Sequence, residues 1–221
     1  MTIAAIDQGT TSTRALALQP DGGVTVVRAI EHRQIYPRPG WVEHDPLELI
    51  RNIVACAEAV EDPQALGIDN QGESCLAWDA GTLEPVSPVI VWQDSRTAET
   101  IEKLKAEGAE ALTLERAGLP LDAYFSASKL AWILANMPDA KNLHKNGRLR
   151  LGTTDAYFLH RLTGRCVTDI TTASRTSLMN IASGAWDAEL CRLFGVPLET
   201  LPEIVPKNVE ATTATLAGPP R

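Results

Sequence analysis

The sequence predicts a mixed α/β fold in which an N-terminal antiparallel meander joins a partly parallel sheet flanked by helices. Two observations lead to this prediction. Three short apolar stretches separated by polar turns open the chain, and helix and strand patterns alternate after about residue 45. The 221 residues are 44% hydrophobic and 22% charged, which is typical of a globular protein with a real core.

The meander is predicted from three strands and two turns. Ile3–Ile6 is a short apolar run that ends in the polar turn Asp7–Ser12. A second strand is expected at Arg14–Leu18. Asp21-Gly22-Gly23 is a hairpin signal, so Val24–Ile30 is expected to run antiparallel to the second strand.

A helix is predicted to begin after Asp45 and to reach about Val60. Asp45 can cap the helix, Pro46 suits its first position, and Glu48 stands three residues after the cap. The same reasoning predicts further strands at Leu66–Asp69, Ser74–Trp78 and Val89–Trp92, and helices at Glu99–Glu107, Ser126–Asn136, Asp155–Leu162 and Asp187–Phe194. No helix or strand is expected at Leu216–Arg221.

Composition excludes several classes of function. Apolar runs such as Val89–Trp92 are far shorter than the roughly 18 residues of a membrane-spanning helix, so no membrane partner is expected. Twenty basic and 28 acidic residues give a net charge of −8, which would be repelled by a phosphate backbone, so no nucleic-acid partner is expected.

The cysteines and the N-terminus predict a cytoplasmic protein. The four cysteines are widely spaced without a Cys-x-x-Cys pair, so inert thiols are expected at Cys56, Cys75, Cys166 and Cys191. Met1 leads directly into the first strand without a charged leader, so no signal peptide is expected. Reduced thiols fit an intracellular location.

Most histidines and tryptophans are expected to be structural. His44 is expected at the surface before the helix cap. Packing is the expected role of Trp41, Trp78, Trp132 and Trp186.

The segment Asp7–Arg14 is the best candidate for phosphate binding. A strand ends in a carboxylate, a glycine permits close approach of a ligand, and hydroxyls and turn amides follow that can donate to phosphate oxygens. Asp7 could hold a magnesium ion through waters, and Arg14 could neutralise charge. An ordinary polar hairpin turn is the alternative. No Walker A loop and no Gly-x-Gly-x-x-Gly fingerprint occurs in the chain.

With its position after a first strand, Asp7–Arg14 resembles the first phosphate motif of the FGGY family of carbohydrate kinases. The resemblance extends along the whole chain. Ile35–Pro46, Val91–Thr97 and Asp169–Thr176 resemble the glycerol kinase-like branch, and Tyr124–Trp132 resembles a signature of the whole family. The resemblance implies an actin-like (ribonuclease H-like) ATPase fold. It also implies that residues 1–221 are the N-terminal substrate-binding domain, without the C-terminal kinase domain that binds adenine.

The resemblance assigns roles to individual residues. By similarity, Asp7 belongs to the Mg²⁺ and phosphate environment, and the phosphates of ATP are lined by Thr10, Thr11, Ser12 and Arg14. Glu73, Trp92 and Tyr124 match positions that contact glycerol. A carboxylate that accepts from hydroxyls and rings that cover carbon edges suit a polyol.

Two departures from the family pattern matter. The glycerol kinase-like branch usually reads Asn-Gln-Arg-Glu where this chain has Asn70-Gln71-Gly72-Glu73, so a guanidinium is missing and a longer polyol or a ketose becomes an alternative substrate. The catalytic aspartate of the family, in a Gly-x-x-x-Asp-Gln segment, is expected beyond Arg221, so this chain alone is expected to be inactive. A truncated, non-catalytic ligand-binding module is the other alternative. The expected partners are a small polyol or sugar and the missing domain, with a homo-oligomer as an open option.

Overall fold

The computed structural model describes residues 2–205, which form two compact units. The first unit comprises the chain up to Ile35 together with His44–Gln71. The second comprises Tyr36–Glu43 and the described chain from Gly72 to Val205. The expectation for Leu216–Arg221 concerns residues outside the described range.

The chain as far as Asp69 contains five strands and one helix. In order they are β1 (Ile3–Gln8), β2 (Ser12–Leu18), β3 (Val24–Glu31), β4 (Glu43–His44), α1 (Pro46–Glu58) and β5 (Ala65–Asp69).

The first unit is built on a four-stranded sheet with the order β3-β2-β1-β5. β1 pairs with β2 and β2 with β3 in antiparallel fashion, while β5 joins β1 in parallel. The hairpin between β2 and β3 closes at the predicted glycines, since Gln19 N donates to Gly23 O at 2.8 Å. The predicted antiparallel meander on a partly parallel sheet is therefore confirmed.

Helix α1 packs against this sheet and begins where the sequence predicts. The Asp45 side chain accepts from Leu47 N at 2.9 Å, which satisfies one of the unpaired donors of the first turn. Leu49 and Ile53 are fully buried on the inner face. The prediction for His44 was wrong: this side chain is fully buried rather than exposed.

The second unit carries the remaining elements. They are β6 (Cys75–Asp79), β7 (Val89–Ile90), α2 (Ala98–Ala106), α3 (Glu110–Arg116), α4 (Ser126–Asn136), α5 (Pro138–Lys145), β8 (Leu149–Thr153), α6 (Thr154–Thr163), β9 (Val167–Asp169), α7 (Ile170–Ala173), β10 (Met179–Asn180), β11 (Ala185–Trp186), α8 (Ala188–Phe194), a 3₁₀ turn (Leu198–Thr200) and β12 (Glu203–Val205).

The core of the second unit lies between a sheet and α4. Three strands lie side by side in the order β7-β6-β8, with antiparallel pairing on both sides of β6. Every residue of β6 is buried, and Leu130 and Ile133 of α4 belong to the same apolar cluster. Trp78 is fully buried and donates through Nε1 to His160 Nδ1 at 2.9 Å, as expected of a packing residue.

The structure of this unit differs from the predictions in the length of one strand and in the presence of additional elements. The strand predicted at Val89–Trp92 ends at Ile90, because Asp94 N donates to Val91 O and the chain turns there. Several elements, among them α3, α5, β8 and β9, occupy stretches for which no helix or strand is predicted from the sequence.

The four cysteines are unpaired, as expected. Burial raises the pKa of Cys75 to about 12 and the pKa values of Cys166 and Cys191 to about 11, so these thiols stay protonated and unreactive. Within residues 2–205, helices long and apolar enough to span a bilayer are absent.

Candidate phosphate loop and polyol site

The candidate phosphate loop is the tight connection between β1 and β2 in the first unit. Asp7 lies opposite Arg14 in the antiparallel register, and Gly9 N donates to Ser12 O at 3.0 Å to close the turn. Arg14 Nη2 lies 2.7 Å from Asp7 Oδ2, in an exposed ion pair. The hydroxyl residues Thr10, Thr11 and Ser12 form the tip, so one hairpin collects all five predicted phosphate and metal residues.

The backbone oxygens of this loop are held from the protein side. Thr10 O accepts from His32 Nε2 at 2.9 Å and from Gln34 Nε2 at 2.7 Å. Gly9 O accepts from the side-chain amide of Gln71 at 3.1 Å. Because side chains of the unit fix the carbonyls, the peptide planes of the loop are fixed as well, which preorganises its amide groups.

His44 supports the same loop through Gln34. His44 Nε2 lies 2.9 Å from Gln34 Oε1, and the rings of His44 and His32 pack edge to face at 4.6 Å. Burial, together with the smaller effect of the neighbouring His32, lowers the pKa of His44 to about 3. His44 is therefore neutral at physiological pH and acts as a hydrogen-bonding support for the loop.

Asp7 provides the carboxylate expected for magnesium. Its Cα partner across the parallel pair is Asp69, and both residues line a shallow depression of about 310 Å³. The described part of the chain contains no cluster of three or more histidine, cysteine or acidic side chains suited to a metal. One carboxylate still fits Mg²⁺ in a nucleotide site, because that ion keeps several waters and binds substrate phosphates.

The candidate polyol site lies in the second unit around Glu73. The Glu73 side chain is nearly buried, at 9% exposure, and its Oε1 accepts from Arg175 Nε at 2.7 Å. Its backbone oxygen accepts from Ser126 Oγ at 3.0 Å, which ties it to the first turn of α4.

Two aromatic rings form one side of the candidate polyol site. The rings of Trp92 and Tyr124 pack edge to face, with centroids 5.5 Å apart. Trp92 is positioned by its backbone N, which donates to Ser74 Oγ at 3.1 Å, next to Glu73 in sequence. Tyr124 is 36% exposed, so its ring remains accessible.

Gly72 has Arg175 as its neighbour. A Cβ atom placed on Gly72 would lie 3.7 Å from Arg175 Cγ, an ordinary contact distance. The site expected from Gly72, Glu73, Trp92 and Tyr124 therefore includes an arginine that the sequence analysis did not assign. Arg175 belongs to the Asp169–Thr176 motif, whose resemblance to the family implies no role for this individual residue.

The buried side chain of Arg96 connects residues of two of the other motifs. Its guanidinium bonds Asp94 at 2.8 Å and Glu43 at 2.7 Å, and it lies between the rings of Trp41 and Trp132 at 3.8 and 4.6 Å. This arrangement joins Ile35–Pro46 to Val91–Thr97 and leaves the two tryptophans with the predicted packing role.

Comparisons with known proteins agree with this architecture. Residues 2–217 match the N-terminal domain of the FGGY family of carbohydrate kinases. The chain is 46% identical to a glycerol kinase of Cereibacter sphaeroides, over 91% of this chain and 43% of that protein. It is 47% identical to a glycerol kinase of Gluconobacter oxydans, over 98% of this chain and 44% of that protein. The chain thus spans less than half the length of these curated relatives.

A solved structure gives the same result at the level of the fold. The crystal structure of Plasmodium falciparum glycerol kinase with ADP matches with a TM-score of 0.85 and 32% identity, over 92% of this chain and 42% of that one. The expected actin-like (ribonuclease H-like) fold, with its mixed sheet and N-terminal meander, is confirmed. The chain belongs to the FGGY family of carbohydrate kinases, whose N-terminal domain it matches almost from end to end.

Proposed function

We propose that residues 1–221 are the substrate-binding N-terminal domain of an ATP-dependent kinase that transfers the γ-phosphoryl group of ATP to a hydroxyl of glycerol or a related polyol. The observation that carries the proposal is the nearly buried Glu73 carboxylate in a region walled by the rings of Trp92 and Tyr124. A carboxylate accepts hydrogen bonds from hydroxyl groups, and ring faces cover the thin apolar edges of a polyol. The similarity to two glycerol kinases supports this choice of substrate.

In this proposal, the phosphate loop binds the nucleotide. The neighbour bound to ADP supports ATP as the phosphoryl donor. Thr10, Thr11, Ser12 and Arg14 would contact the phosphates, and Asp7 would hold Mg²⁺. When bound, Mg²⁺ neutralises the negative charge that accumulates on the phosphates during transfer.

The catalytic base is assigned to a part of the protein beyond these residues. The 221 residues contain no Gly-x-x-x-Asp-Gln segment. Since the chain spans less than half the length of its curated relatives, we expect the base, and the C-terminal kinase domain that would bind adenine, in the part of the protein that corresponds to the remainder of those relatives. The chain alone should bind polyol without transferring phosphate.

A cytoplasmic location belongs to the same proposal. ATP is available there, and the four unpaired cysteines are typical of proteins in a reducing compartment.

The first experiment is to sequence the gene past the codon for Arg221 and to assay its complete product for ADP release. Glycerol, erythritol, xylitol and xylulose are the substrates, so that the longer polyols and ketoses favoured by Gly72 are included. We expect ADP release with at least one of them. The Glu73→Gln variant should lower kcat/KM roughly 10- to 100-fold, because a charged hydrogen-bond acceptor is lost.

The control for that substitution is Glu84→Gln, which alters a largely exposed carboxylate paired with Arg161. Its kcat/KM should stay within a factor of two of the unmodified protein. ADP release that stays at the substrate-free rate with all four compounds would overturn the kinase proposal. Binding of a polyol in that case would point to the non-catalytic module.

A further inference from the structure

Arg175 stands on a segment that the fold holds rigidly. It follows α7, whose first turn is capped by Asp169 through hydrogen bonds to Thr171 N at 2.6 Å and Thr172 N at 2.8 Å. Arg175 N donates to Thr172 O at 3.0 Å. Ser177, two residues later, has φ of +63°, a left-handed conformation that a non-glycine residue rarely adopts. Such strain is typical of functional sites.

The guanidinium of Arg175 makes a hydrogen bond to the protein through only one of its three nitrogen atoms, among the described residues. Its Nε donates to Glu73, and its Cζ lies 5.1 Å from the centre of the Phe125 ring and 5.9 Å from that of Tyr124. The side chain is 40% exposed. Within the described residues of the second unit, no acceptor pairs with Nη1 or Nη2, so four N–H donors remain beside the Glu73 carboxylate.

The side chain of Arg175 lies beside the space that a side chain at position 72 would enter. A Cβ atom at position 72 would lie 3.7 Å from Cγ of the aliphatic stem of Arg175, which is an ordinary contact distance. Gly72 does not have a positive φ, so the backbone does not require glycine there. The aliphatic stem of Arg175 therefore lies next to the position that lacks a side chain.

We propose that Arg175 is a substrate-binding residue that determines specificity in this site, because it supplies the guanidinium donors missing at position 72. This inference rests on the proposed function. Arg175 can donate hydrogen bonds and Glu73 can accept them, so two neighbouring hydroxyls of a polyol can bind to this pair. The hydrogen bond from Nε to Glu73, together with the neighbouring ring of Phe125, holds the orientation of the guanidinium.

The pair also predicts which polyols bind best. A guanidinium in a fixed plane favours hydroxyls on adjacent carbons, since its donors are arranged as a rigid fork. Compounds with a vicinal diol should therefore bind, whereas 1,3-propanediol, which lacks the middle hydroxyl of glycerol, should bind at least 10-fold more weakly.

The test measures steady-state kinetics of the complete gene product with glycerol, together with calorimetric binding of glycerol and 1,3-propanediol. The variants are Arg175→Gln, Arg175→Lys and the double variant Arg175→Gln with Gly72→Arg. Arg175→Gln should raise KM and the dissociation constant for glycerol roughly 10- to 100-fold. Its kcat should change less than about threefold, because the interaction exists before the transition state. Lysine should restore part of the loss, and an arginine at position 72 should restore more.

Arg148→Gln is the matched control. Arg148 also pairs with a nearly buried carboxylate, that of Asp79, and the exposures of 50% and 10% resemble those of the Arg175 pair. Both substitutions should lower the melting temperature to a similar degree, but only Arg175→Gln should change glycerol binding. Equal glycerol affinities in Arg175→Gln and the unmodified protein would overturn the inference.

The two readouts separate this inference from the proposed function. If the unmodified protein binds glycerol in an Arg175-dependent manner without releasing ADP, the kinase proposal fails and the inference stands. If it releases ADP with glycerol and Arg175→Gln behaves like the control, only the inference fails. If no polyol binds to the unmodified protein, both fail.

Discussion

The ammonium group of Lys129 lies fully buried in the first half of α4. Its Nζ donates to the backbone oxygens of Tyr124 at 2.6 Å and of Phe125 at 3.2 Å. Burial lowers its pKa, against the opposing influence of nearby acidic groups that include Asp94 and Glu73. This side chain fixes the segment that presents the Tyr124 ring to the polyol site.

Replacing Lys129 with methionine should therefore lower the free energy of unfolding by about 1–3 kcal/mol. Methionine fills most of the volume but leaves the two backbone oxygens without their donor. Urea denaturation of the purified chain measures the effect. Lys105→Met is the control, because Lys105 makes an exposed ion pair with Glu102 on α2 and its loss should cost less than about 0.5 kcal/mol. Equal stabilities of the two variants would contradict this role of Lys129.

Sequence patterns place some site residues well and others poorly, for a physical reason. Asp7 lies near the end of β1 and Arg14 near the start of β2, so the local pattern of two strands and a short turn was sufficient to bring them to one hairpin. Arg175 meets Glu73 from 102 positions away, and only the tertiary fold creates that pair. His44 was misplaced for a similar reason, because its burial depends on Gln34 and on the ring of His32.

At the scale of an element, the turn at Gly40 depends on a contact within the second unit. Gly40 has φ of +78°, and a Cβ atom there would lie 2.6 Å from Ser95 Oγ. Its backbone oxygen accepts from Ser95 N at 2.8 Å. Glycine is thus required both by the left-handed conformation and by the close approach of Ser95.

We predict that Gly40→Ala destabilises the chain more than Gly147→Ala does. Gly147 has φ of +67° with no atom within 4 Å of an added Cβ, so alanine there costs only the conformational strain of about 1–2 kcal/mol. The excess at Gly40 should be at least about 1 kcal/mol, the order of the cost of overpacking. Adding Ser95→Ala to Gly40→Ala should recover part of this excess, as a double-mutant cycle in urea can show. Equal costs at the two glycines would mean that the turn relaxes around the new methyl group.

Elements with strong local signals were predicted most accurately. Helix α1 carries a capping aspartate and a proline at its first position, and α4 was predicted with its observed bounds. β8 was missed because its sequence, Leu149–Thr153, includes an arginine and a glycine, and its identity as a strand comes from pairing with β6. Packing partners of this kind are not visible in a local pattern.

At the scale of the whole molecule, buried histidines make stability depend on pH. Burial lowers the pKa values of His32 and His160, and that of His44 to about 3, from the ordinary 6.5. The unfolded chain takes up protons near pH 6.5, whereas folded His44 takes one up only near pH 3. Since the unfolded state binds more protons in this range, the free energy of unfolding should fall as the pH is lowered from 6.5 towards 3.

His44 alone should account for about 1–2 kcal/mol of the loss between pH 7 and pH 5, because each pKa unit corresponds to about 1.4 kcal/mol. His44→Gln removes this titration while keeping an amide that can donate to Gln34 Oε1. Urea denaturation at pH 8, 7, 6 and 5 measures both proteins, with each referred to its own value at pH 8, where the histidine is neutral in both states. Between pH 7 and pH 5, the variant should lose less unfolding free energy than the unmodified protein by that amount. The remaining loss is due to His32 and His160. Parallel curves for the two proteins would show that His44 becomes protonated in the folded chain, and that the hydrogen bond to Gln34 survives the added charge.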